Sequence, residues 1–147
     1  MALEVKILTP PDEAALERVA EGVFDEPIDL NLTRAFLADA RHHIAVAIED
    51  DEIVGFVSGV DYVHPDKPRE LWINEVGVAP SHHRRGIGRQ VLECMLAHAR
   101  SIGCRQAWVL TERQNIAAMR LYNSAGGFVH MPETVMFDFD LTAPKDP

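Results

Sequence analysis

Three observations make this sequence a mixed α/β domain. Runs rich in β-branched residues, HIAVAI at 43–48 and IVGFVSGV at 53–60, read as strands. Residues 88–102 carry Val91, Leu92, Met95, Leu96 and Ala99 at helical spacing and read as an amphipathic helix. Strand-like and helix-like segments alternate over 147 residues, a length that fits one domain with a core large enough to fold alone.

The elements follow in order. A short strand is expected at 5–8. Thr9 caps the helix behind it, with proline in the first turn and Leu16, Val19 and Ala20 at helical spacing, and Gly22 near its end. Pro27 interrupts the next stretch, and a second helix over about 32–41 places Phe36, Leu37 and Ala40 on one face. The runs 43–48 and 53–60 flank a polar turn at 49–52 and form a β-hairpin. A proline-rich loop at 64–69 leads to a strand at 71–78, whose embedded Gly77 predicts a bulge or a close backbone approach. Gly103 stops the helix at 88–102. A strand at 106–111 precedes a helix that Asn115 caps and Gly126-Gly127 ends. Two last strands are expected near 128–131 and 135–141. The domain therefore spans 1–141, and 142–147 reads as a disordered tail.

Composition narrows the function. The N-terminus lacks the basic flank and apolar core of a signal peptide, and no apolar run is long enough for a bilayer, so a soluble, cytoplasmic protein without a membrane partner is expected. A formal net charge of −9 opposes non-specific nucleic-acid binding and suits a cationic partner. Two cysteines, Cys94 and Cys104, are too few for a disulfide framework or a zinc site, and Cys94 reads as helix core. The seven histidines show no metal-ligand spacing, so no metal is expected and His42 and His43 read as surface residues.

The charge is uneven: His82, His83, Arg84, Arg85 and Arg89 cluster at one turn. That turn lies in VGVAPSHHRRGIG, residues 76–88, where a strand runs into a glycine-punctuated basic loop and then a helix. The glycines allow close approach to an anion, and the unpaired first-turn N–H groups and the helix dipole favour negative charge. A phosphorylated cofactor is the first hypothesis.

With the second motif, NIAAMRLY at 115–122 followed by Gly126-Gly-Phe128, this pattern resembles the GNAT acyl-CoA N-acyltransferase superfamily. The resemblance runs from about residue 5 to 141. Within the superfamily the chain looks most like the small aminoglycoside 3-N-acetyltransferases, through its hairpin, the acid in Asn74-Glu75-Val76 and the ending ETVMFDFD at 133–140. One departure is His83, where the family usually has Gln or Arg. Main-chain N–H groups hold a pyrophosphate in such loops, so Gly86 and Gly88 matter more.

The resemblance implies a single-domain GNAT fold, with a mixed, mostly antiparallel sheet, about four helices and strands that splay at the acetyl-CoA site. It implies that Arg84, Arg85, Gly86, Ile87, Gly88 and Arg89, with His83 beside them, hold the pyrophosphate, one arginine also meeting the 3′-phosphate. It places the main chain of Val76 and Val78 at the pantetheine arm and acetyl oxygen, a simple bulge being the alternative. Glu75 is the candidate general base and Glu112 its backup or a binding acid. In an alternating strand Glu75 shares a face with Ile73 and Gly77, and a plain surface position remains open. Tyr122 would protonate the departing thiolate, or is a buried structural tyrosine. Asn115 would bond the pantetheine, cap its helix, or both.

Asp25, Glu26, Asp29 and Asp61 fall where acceptor loops lie in the family, with Asp138 and Asp140 near the end of the chain, at the acceptor site or a dimer interface. The implied activity is acetyl transfer from acetyl-CoA to a primary amine of a cationic small molecule, an aminoglycoside of the 3-N type, and hence antibiotic resistance. The alternatives are a polyamine or protein amine as acceptor, and a non-catalytic acyl-CoA sensor. A homodimer is a family expectation.

Overall fold

The computed structural model describes residues 2–142. The strands are β1 Glu4–Ile7, β2 His42–Glu49, β3 Glu52–His64, β4 Lys67–Val78 and β5 Gln106–Val109. The helices are a 3-10 helix Pro10–Glu17, α1 Leu30–Ala38, α2 Ile87–Ser101 and α3 Ile116–Ser124, with a single 3-10 turn at Pro80–His82. The strands lie in chain order in one sheet, antiparallel except for the parallel pair β4–β5. This is the mixed sheet with four helices that the sequence predicts.

The differences are physical. The first helix starts as expected, with a capping box between Thr9 and Asp12 and prolines in its first turn. It stops at Glu17 because the next residues are drawn to the sheet: Ile53 N–H donates to the Arg18 carbonyl at 2.8 Å and Ala20 N–H to that of Ile53 at 2.9 Å. The hairpin turn is tight, with Asp50 and Asp51 both left-handed at φ 54° and 63°. The expected loop at 64–69 is mostly strand, because β3 and β4 stay paired out to His64–Lys67.

Helix α2 crosses β1 to β4 and buries Ile87, Val91, Leu92, Met95 and Ala99 on the sheet face that carries Ala45, Val57 and Leu71. Gly55 seats its first turn, since a Cβ there would lie 2.8 Å from Ile87 Cγ2. On the other face, Phe24 stacks on Phe56 at 4.0 Å.

The two last strands do not form. Residues 128–142 contain no helix or strand, and Phe128, Phe137 and Phe139 are about four-fifths exposed (81%, 78% and 82%). Alternation at Val135, Phe137, Phe139 and Leu141 is a local signal, but a strand exists only against a partner edge, and among the described residues nothing pairs with this segment. Thr142 N–H donates to Asp140, and the remainder of the expected tail lies outside the described residues. Among the described residues no helix is long and apolar enough to cross a membrane.

His43 is not a surface residue. It is buried between β3 and α2, where its Nε2–H donates to Asp61 Oδ2 at 2.6 Å and its Nδ1 accepts from His98 Nε2–H at 2.9 Å. Arg69 lies 3.4 Å from the other Asp61 oxygen, and its guanidinium also donates to the Ile102 carbonyl at the end of α2. The cluster fixes the C-terminal end of α2 to the sheet. Burial first, then the electrostatic influence of the adjacent His43 ring, holds His98 below its ordinary value of 6.5. The unfolded chain therefore binds a proton at a higher pH than the folded one, and stability falls as pH drops below about 6.5. Denaturant titrations between pH 7 and 5 should show the wild type losing stability relative to His98→Gln. An equal slope in the two proteins would contradict this assignment.

Candidate functional site

The site begins where two strands part. Pairing between β4 and β5 ends at Ile73–Val109, while β4 continues to Val78. Among the described residues, the β5-facing edge of 74–78 is thus left without a strand partner. Below the fork the strands are clamped: Trp72 stacks on Trp108 with centroids 5.5 Å apart, and Trp108 Nε1–H donates to the Tyr62 hydroxyl at 2.6 Å. That hydroxyl in turn donates to Glu70 at 2.5 Å.

A bulge sits at the fork. Ser58 pairs with Glu75 and Gly59 with Ile73, so Asn74 is the extra residue on β4. Ser58 and Gly59 are consecutive and face opposite sides, and so do Glu75 and Ile73. Glu75 therefore shares its face with Gly77, as expected, but not with Ile73: Ile73 is in the core and Glu75 is exposed beside the fork. Gly77 answers to the other expectation, a close approach. A Cβ there would lie 2.3 Å from the Val23 carbonyl oxygen and 2.8 Å from Phe56 Cε1.

Beyond β4 the chain turns through a loop with two left-handed residues, Arg84 at φ 64° and Gly86 at φ 75°. Gly86 precedes α2 without a side-chain cap, and the first helical bond runs from Gln90 N–H to the Gly86 carbonyl. The N–H groups of Ile87, Gly88 and Arg89 are left pointing out of the helix, an arrangement suited to an anion. The basic side chains are not equivalent. Arg85 is bound to Glu49 through two hydrogen bonds at 3.1 and 2.6 Å, and Arg89 to Glu93 at 2.7 Å. His83 Nε2–H donates to the Val78 carbonyl at 2.9 Å. Arg84 has no carboxylate partner among the described residues.

Helix α3 packs on the start of α2, with Leu121 against Gly88. Tyr122 follows it, half-buried, and burial pushes its hydroxyl above the ordinary 10.0, so it stays protonated at neutral pH. Asn115 caps α3, its Oδ1 accepting from Ala118 N–H at 3.1 Å, which leaves its NH2 group as a donor.

The acids separate into three groups. Asp25 and Glu26 line a cavity of about 660 Å³ between the 3-10 helix and α1, together with Glu17, Glu21, Phe24 and Thr33. Phe24 stacks on Phe56, which pairs with Gly77, and Glu75 lies two residues along the same face of β4. Asp29 caps α1 by accepting from Leu32 N–H at 2.9 Å, and Asp61 is buried with His43. Both carboxylates serve the fold. Glu112, Asp138 and Asp140 are exposed, the last two on the segment without secondary structure. Sequence reasoning missed Glu17, Glu21 and Thr33, which read as helix polarity and come together only because 17–33 folds around a cavity, and Glu49, a turn glutamate whose partners His82 and Arg85 are distant in sequence. Among the described residues no cluster suited to a metal ion occurs.

The model of the acetyltransferase (GNAT) family matches residues 9–128. An L-2,4-diaminobutyric acid acetyltransferase from Virgibacillus pantothenticus is 33% identical over 76 residues, covering 50% of this chain and 46% of that one. A second, from Streptomyces anulatus, is 28% identical over 137 residues, covering 88% and 76%. The chain thus spans under half the length of the first of these relatives. An aminoglycoside acetyltransferase from an uncultured soil metagenomic sample, crystallised with trehalose, superposes with a TM-score of 0.79 at 20% identity over 95% of this chain and 96% of that one. An aminoglycoside N-acetyltransferase crystallised with CoA superposes at 0.74 and 17% identity, over 95% of each. At these identities the superpositions speak for the fold.

Proposed function

Because the chain belongs to the GNAT family of acetyltransferases, we propose that it transfers acetyl from acetyl-CoA to a primary amine of a polycationic small molecule, an aminoglycoside being the acceptor class that fits best. The carrying observation is the fork, where an open β4 edge, the exposed Glu75 and the bare start of α2 converge. Three N–H groups at the start of α2 suit a pyrophosphate, and Arg84, which has no carboxylate partner among the described residues, suits the 3′-phosphate. The open edge at Val76–Val78 offers main-chain groups to the pantetheine arm and the acetyl oxygen.

The reaction then divides among named groups. Glu75 takes a proton from the acceptor ammonium, directly or through water, and the free amine attacks the thioester carbonyl carbon. Backbone N–H groups on the open edge hold the negative oxygen of the tetrahedral intermediate. As the carbon–sulfur bond breaks, the Tyr122 hydroxyl gives its proton to the thiolate, the attacking nitrogen loses its second proton to solvent to leave the amide, and the tyrosine regains a proton from solvent. The raised pKa of Tyr122 keeps that proton available through the neutral range.

The acceptor follows from charge. Glu17, Glu21, Asp25 and Glu26 around one cavity, in a chain of formal charge −9, favour a molecule with several ammonium groups. 2,4-Diaminobutyrate is the second reading, favoured by the relatives that acetylate it. It carries two amines, but its carboxylate would be repelled by this cavity.

Thiol release from acetyl-CoA should be observed with aminoglycosides and should exceed that with diaminobutyrate, spermidine or lysine peptides. Glu75→Gln should lower kcat about a hundredfold while leaving acetyl-CoA affinity nearly unchanged. Turnover confined to diaminobutyrate or peptides would overturn the acceptor, and unchanged kcat would remove Glu75 from the chemistry. A homodimer belongs to the same reading, since Val135, Phe137, Phe139 and Leu141 present exposed apolar side chains. Sedimentation should give twice the chain mass of 16.4 kDa, and a monomer at assay concentration would contradict it.

A further inference from the structure

From the contacts around Glu49 we infer that this residue, remote in sequence from the glycine-rich loop, is the positioning residue that holds that loop in its anion-binding shape. The inference rests on the acetyl-CoA reading above. Glu49 is the last residue of β2, and its side chain is only 11% exposed. Its Oε2 accepts from Arg85 Nη2 at 2.6 Å, and its Oε1 accepts from both Arg85 Nη1 and His82 Nε2 at 3.1 Å. His82 Nδ1 accepts in turn from the Ser81 hydroxyl at 2.7 Å, which fixes the tautomer that donates to Glu49. Arg85 first, and then His82, hold the Glu49 carboxyl down at about 2, so it is ionised throughout the neutral range.

This triple contact clamps the loop on both sides of a strained point. Arg84 lies between His82 and Arg85 and adopts a left-handed backbone that a side-chain-bearing residue rarely takes. Gly86, two positions on, is left-handed as glycine readily is, and the bare N–H groups of α2 follow at once. A left-handed arginine persists only where surrounding contacts over-determine it. Glu49 supplies those contacts from the rigid sheet, and His83 supplies one more by bonding to Val78. Arg85 is consumed in this role, because its charge is compensated and its fork is occupied by a carboxylate. The loop's contribution to phosphate binding is thereby assigned to Arg84 and the main chain, and Arg85 acts at one remove.

The test is calorimetric titration of CoA, with steady-state kinetics, on the whole protein and on Glu49→Gln, Arg85→Gln and the double variant. Each single change should weaken CoA binding, and raise KM for acetyl-CoA, by about tenfold, with kcat at saturation within about twofold. The double variant should be no weaker than the worse single one, because both act through one contact. If Arg85 were itself the phosphate ligand, Glu49→Gln would free it and tighten binding, which would overturn the inference. Unchanged affinity with only a lowered melting temperature would also overturn it, by making the contact merely structural. Additive losses in the double variant would do the same. Absence of CoA binding by the wild type would overturn the acetyl-CoA reading as well, whereas normal wild-type binding with an indifferent Glu49→Gln removes the positioning role alone.

Discussion

The parallel strands β4 and β5 are held together by the stacked Trp72 and Trp108 and separate one residue further on. A strand that loses its neighbour exposes backbone N–H and C=O groups, which demand water or a ligand. Everything else at the site follows from how the chain tolerates that opening. The bulge at Asn74 lets β4 keep its bonds to β3 while turning Glu75 out and Ile73 in. Gly77 lets the 20–24 segment come within contact of β4, where a larger residue would hold it off. Helix α2, docked by Ile87 on Gly55, aims its N-terminus at the same opening.

The fold was legible because its signals are local. The period of Val91, Leu92 and Met95, the acidic turn within 49–52 and the Asn115 cap each depend on a few neighbouring residues, and each appears where the sequence places it. The terminal strands failed for the opposite reason: alternation at 135–141 is visible locally, but pairing is a property of two segments. The 3-10 helix ended early through a bond between Arg18 and Ile53, thirty-five positions apart in sequence, which no local pattern reveals.

The site was legible in part, along the same division. The turn shape of the glycine-rich loop and the Asn115 cap could be read because both are tied to backbone geometry near in sequence. The acids could not be sorted. Asp29, Asp61 and Asp25 look alike as letters, yet one caps a helix, one is buried beside a histidine and one lines a cavity. Likewise three arginines in one turn suggest three phosphate ligands, and only the positions of Glu49 and Glu93 divide them. Charge assignments of this kind depend on the partner, which the fold supplies from a distant strand or the next helical turn.

The most direct measurement of the account is amide hydrogen exchange with and without CoA, read at single-residue resolution. Protection concentrated at Val76, Val78 and residues 84–89 would place the ligand along the open β4 edge and the start of α2, as the fork requires. Protection that avoids these amides, or that is confined to the cavity beside Asp25, would contradict the reading of the parted strands as the acyl-CoA cleft.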